Sequence, residues 1–87
     1  MGMSVQKYKY TSEDFKLYPS ISEELTDFYV LLEQYKKSNE NGDKFMLEDK
    51  ANDLYFAIKR AKLHETINVE IVDDMWEYVG GLIYDRL

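Results

Sequence analysis

Apolar side chains recur at steps of three and four along three stretches of this chain, and little else in it is as regular. Ile21, Leu25, Phe28, Leu32 and Tyr35 form the first series, with Tyr29 and Leu31 widening it on either side. Leu47, Ala51, Leu54, Ile58 and Ala61 form the second, and Val69, Val72, Trp76, Val79 and Ile83 the third, flanked by Met75 and Leu82. Such spacing places each series on one side of a helix, so each helix has a face that must be covered. With 87 residues the chain is one domain (1–87). The expected fold is all-α: a small three-helix bundle with helices at about 22–37, 44–64 and 69–86. Residues 1–20 form an irregular or short-helical N-terminal arm, and 21–87 the bundle.

Local signals set the expected boundaries. Thr11 or Ser12, followed by Glu13, Asp14, Phe15 and Leu17, reads as a capped short helix that Pro19 stops. Ser20 with Glu23 has capping-box spacing for the first long helix. Ser38-Asn39-Glu40-Asn41-Gly42 reads as the loop after it, with Asp43 as the next N-cap and Thr66 or Asn68 as the last. Gly80-Gly81 inside the third helix costs about 1 kcal/mol each relative to alanine. Either the helix breaks there or another backbone packs close.

Composition removes several function classes. A net charge of −6 argues against a general nucleic-acid binder, which needs a basic footprint. It suits a protein partner with a basic surface. With no cysteine, there is no disulfide framework, thiolate metal site or cysteine nucleophile. Met1 to Tyr10 shows no apolar leader, and no stretch has the ~18 apolar residues of a membrane span. The expectation is a cytoplasmic protein without membrane contact. Lysine outnumbers arginine, and Tyr, Asn, Glu and Ile are frequent, which suggests an AT-rich bacterial or phage source.

Most of the charge layout follows from helix dipoles, which favour acids at N-termini and bases at C-termini. Lys59, Arg60 and Lys62 therefore read as a helix end rather than a DNA patch. The third helix exceeds that rule. Glu70, Asp73, Asp74, Glu77 and Asp85 share an arc of ~120° that no lysine enters. Either Lys59 and Lys62 of the neighbouring helix neutralise it, or it is a docking face for a basic partner.

No chemical motif in the chain is complete. Residues 37–48 fit an EF-hand at Asn39, Asn41, Gly42 and Glu48, but Lys37 stands where the first carboxylate should bind calcium. Asp73-Asp74-Met75-Trp76-Glu77 looks like the acidic DDxx(D/E) motif of isoprenoid synthases, which the chain resembles in nothing else. His64 is the lone histidine and suits a helix C-terminus. No catalytic residue, metal site or cofactor is expected. A helix-turn-helix DNA reader would present basic and amide side chains, whereas the third helix presents carboxylates.

The second helix has a second apolar side, because Phe45, Phe56 and Leu63 fall opposite its main stripe. The arm, through Tyr8, Tyr10, Phe15 and Leu17, is expected to fold over them. Otherwise they meet a second copy of the chain or a target protein, with Tyr29 and Tyr78 as companions in an apolar interface. The expected function is a non-enzymatic, acidic protein–protein interaction module: a regulator, inhibitor or adaptor. One form is an acidic inhibitor in the basic groove of a nucleic-acid enzyme. The alternatives are a helix-turn-helix-like DNA-binding regulator and a metal-binding helical protein.

Overall fold

The computed structural model describes residues 8–64 and 66–84, and these form an all-α bundle. Helix α1 spans Pro19–Ser38, α2 spans Asn41–His64 and α3 spans Val69–Tyr84. A 3₁₀ turn, Ser12–Phe15, precedes them, and no strand occurs among the described residues.

The arm's short helix is thus a single 3₁₀ turn. The Asp14 carboxylate accepts the Thr11 backbone N–H at 2.8 Å, and the Asp14 N–H returns to the Thr11 carbonyl at 3.0 Å. Phe15 is buried by this turn, while Leu17 stays exposed. Pro19 opens α1 instead of merely closing what precedes it. At the first helical position its missing N–H is no loss and its fixed φ suits the helix. Tyr18 is therefore the N-cap, and Ser20 and Glu23, expected to form a capping box, both lie within the helix.

The junction of α1 and α2 is shorter than the sequence suggested. Asn39 takes the left-handed conformation, φ 58°, and its N–H reaches the Tyr35 carbonyl at 2.7 Å. Asparagine tolerates this geometry better than most residues. The Ser38 hydroxyl accepts the Glu40 N–H at 3.2 Å and donates to the Asp43 carboxylate. Only Asn39 and Glu40 lie outside the helices, and Asn41, Gly42 and Asp43 belong to the first turn of α2. So tight a connection makes α1 and α2 an antiparallel hairpin. It also means that the residues required to wrap a calcium ion are helical from Asn41 onward.

Asn68 caps α3 as expected, its side-chain carbonyl accepting the Ile71 N–H at 3.2 Å. The helix runs unbroken through Gly80-Gly81 to Tyr84. No backbone packs against Gly80, since a Cβ there would meet nothing within 4 Å.

The core contains every residue of the first two stripes, joined by Ala57, Phe15, Val72, Met75, Val79 and Ile83. Val69, expected in the third stripe, is 48% exposed, and Met75 is buried in full. Trp76 lies at the core's edge. Burying each large side chain contributes roughly 1.5–3 kcal/mol. Ala51, Ala57 and Ala61 alternate with larger residues on α2 and let neighbouring helices come close. At the flank of this packing, Lys50 of α2 reaches Glu24 and Asp27 of α1 at 3.0 and 3.8 Å, and Asp53 at 3.4 Å. Its ammonium is held above the usual lysine range, first by the hydrogen bond to Glu24.

Candidate interaction surfaces

The arm settles on α1 and α3. Tyr8 stacks on Tyr29 with ring centroids 3.9 Å apart, and its hydroxyl donates to the Glu33 carboxylate. The Tyr29 hydroxyl donates to the Tyr10 carbonyl at 2.5 Å. Burial is the main cause that pushes the Tyr8 and Tyr29 phenols well above the ordinary tyrosine range. Tyr10 meets Tyr78 edge-on at 6.0 Å, and the Lys9 N–H donates to the Tyr78 hydroxyl at 2.9 Å. Below the arm, the Tyr18 hydroxyl donates to the Thr66 carbonyl at 2.7 Å, which ties the start of α1 to the approach of α3.

These contacts draw two carboxylates of α3 into the fold. Asp74 receives the Tyr10 hydroxyl at 2.5 Å and the Lys9 ammonium at 2.9 Å. Those two hydrogen bonds, Tyr10's first, hold its carboxyl below the usual range. Asp73 pairs with Lys62 of α2. Lys59, the other cation expected to neutralise this face, instead lies 5.6 Å from the Tyr55 ring. The second neutralising charge is Lys9, from the N-terminal arm. Glu70 and Glu77 are exposed and have no partner among the described residues, and Asp85 lies outside them. The acidic face is therefore divided between structural and unengaged carboxylates.

The apolar set is divided too. Tyr29 and Tyr78 are partly covered by the arm and are not beside the α2 stripe. The described part of the arm does not fold over Phe45, Phe56 and Leu63, contrary to expectation. Tyrosine hydroxyls and Lys9 find hydrogen-bond partners on α1 and α3 that an aromatic stripe could not offer. Phe45, Phe56 and Leu63 remain 70%, 54% and 76% exposed. Among their neighbours on the helix, Asp49, Asn52, Lys59 and Arg60 are exposed as well. All seven lie within an arc of ~100° opposite the buried side of α2.

A cavity of about 310 Å³ opens between α2 and α3, with Trp76, Ile83 and Tyr84 giving apolar walls and Glu48 and Asn52 polar ones. Gly80 lines it as well. Its size is at the lower limit for small-molecule sites. Among the described residues no three His, Asp or Glu side chains converge as metal ligands, and no helix is long and apolar enough to cross a membrane.

No protein-family model matches the chain, and neither a curated protein nor a solved structure does.

Proposed function

We propose that this chain is a non-enzymatic protein–protein interaction module of the cytoplasm, a small regulator, inhibitor or adaptor that docks through the outward face of α2. The observation that carries this reading is the exposure of Phe45, Phe56 and Leu63 on one side of one helix. A small domain gains stability by covering such side chains, and this one spends its aromatic arm elsewhere. Exposed aromatic residues aligned on a rigid helix are the usual anchors of a helix-mediated interface. The acidic face is the weaker candidate, because Asp73 and Asp74 already serve internal pairs, and among the described residues only Glu70 and Glu77 are left to a basic partner.

The test is a photo-crosslinking residue placed at Phe56 in cells that express the chain natively. Protein adducts that disappear when Phe45 and Leu63 are both changed to serine support docking through α2. Absence of any protein adduct, with the domain folded by circular dichroism, overturns it.

A further inference from the structure

The outward face of α2 complements itself when reversed. Numbered about the level of Leu54, Phe45 and Leu63 stand at equal distances, as do Asn52 and Phe56. Asp49 and Arg60 flank the stripe on one side, and Glu48 and Lys59 on the other. Within each flanking pair, one charge is acidic and toward the N-terminus while the other is basic and toward the C-terminus. Asp49, Arg60 and Glu48 have no ion-pair partner among the described residues.

We infer that the occupant of this face is α2 of a second copy of the chain, packed antiparallel about a two-fold axis at the level of Leu54. This rests on the docking reading of the same stripe. A two-fold axis perpendicular to the plane of two antiparallel helices keeps each flank on its own side and reverses height. Each Phe45 then meets the other copy's Leu63, and each Phe56 the other's Asn52. Asp49 comes beside Arg60 on one flank and Glu48 beside Lys59 on the other. A parallel arrangement would set each charge against its like. This is the self-complementarity that a symmetric dimer requires. Asn52 fixes the register, because a polar side chain in an apolar seam is least costly in one alignment.

The seam from Phe45 to Leu63 is ~27 Å long at 1.5 Å per residue. Two helices packed along such a length bury on the order of 1,000 Å² in total, at the low end for specific complexes. An interface of that size suits a weak, transient dimer that dilution separates.

The experiment is sedimentation equilibrium of the full chain and of two charge-reversed variants. One carries Glu48→Lys with Asp49→Lys, the other Lys59→Glu with Arg60→Glu. Each variant alone should dimerise at least roughly tenfold more weakly than the native chain, because like charges now meet on both flanks. Mixed in equal amounts they should form a heterodimer at least as tight as the native dimer, since every flanking pair is again opposite in charge. Phe56→Ser should weaken the native dimer by roughly thirtyfold. A native chain that stays monomeric at its highest soluble concentration overturns self-pairing, as does a mixture that gains nothing over its components. In either case the photo-crosslinks at Phe56 separate the two readings. Adducts only with other proteins keep the docking function and discard the second copy, and no adducts discard both.

Discussion

Lys9 and Asp74 are 65 residues apart in the chain and 2.9 Å apart in space, and their ion pair fastens the N-terminal arm to the middle of α3. Tyr10 completes the clamp by donating its hydroxyl to the same carboxylate. The arm is thus held at an end of its own hydrogen-bond network, with Tyr8 and Tyr29 stacked farther along it.

The clamp makes arm attachment sensitive to acid. Asp74 has a carboxyl depressed first by the Tyr10 hydroxyl and then by Lys9. A group whose folded-state pKa is lowered contributes its stability above its unfolded value, near ~3.9, and loses it as pH falls through the folded value. The Tyr8–Tyr29 ring contacts seen by nuclear magnetic resonance should weaken below about pH 4. In Asp74→Asn that acid transition should be reduced, the Tyr8 hydroxyl still being held by the Glu33 carboxylate. An unchanged acid transition in the variant would assign it to other carboxylates.

Alkaline pH tests the same arm from the other direction. The phenols of Tyr8 and Tyr29 are raised chiefly by burial, and that of Tyr10 chiefly by its bond to Asp74. Raised folded-state values mean that the stabilisation is whole below ~10, the ordinary tyrosine value, and is lost as pH rises past it. Ultraviolet difference titration of the eight tyrosines should show a late fraction that ionises together with the loss of helix signal. Tyr29→Phe should shrink that fraction. A single ordinary titration of all the phenols, with the helices intact, would contradict the packing of the arm.

Gly80 presents an opportunity for stabilisation. It is helical, it has no positive φ, and a Cβ on it would touch nothing within 4 Å. Gly80→Ala should therefore raise unfolding free energy by about 0.5–1 kcal/mol, the helix-propensity difference, by urea denaturation. The new methyl group would lie at the wall of the cavity between α2 and α3. A loss of stability would mean that the helix is strained at Gly80-Gly81.

The sequence made the helices legible because periodicity is a local property. Leu25, Phe28 and Leu32 repeat at helical spacing, and all three are fully buried. The outward position of Phe45, Phe56 and Leu63 followed from the same geometry. What covers a surface, by contrast, depends on contacts between distant segments, and nothing near Lys9 signals that Asp74 is its partner. The arm's aromatic residues were free to cover either α2 or α1, and hydrogen bonding to Glu33, Tyr78 and Asp74 decided between them. Element boundaries depart from the local signals where one residue type has two uses. Pro19 ends one element and begins another, and Gly42 offered a turn that Asn39 made instead.

That use of Asn39 can be tested directly. It is the only non-glycine residue with positive φ among those described, and it carries the whole reversal between α1 and α2 together with Glu40. A β-branched side chain in the left-handed region crowds its own backbone, at a cost of roughly 1–2 kcal/mol. Asn39→Val should lower unfolding free energy by about that amount, whereas Asn39→Gly should be neutral or slightly stabilising, since glycine adopts this conformation freely. Gly42→Ala serves as the contrast. Gly42 is inside α2, and a Cβ there would meet nothing within 4 Å, so alanine should stabilise the helix. The opposite order, with valine tolerated at 39 and alanine harmful at 42, would move the turn to Gly42 and restore the longer loop that the sequence suggested.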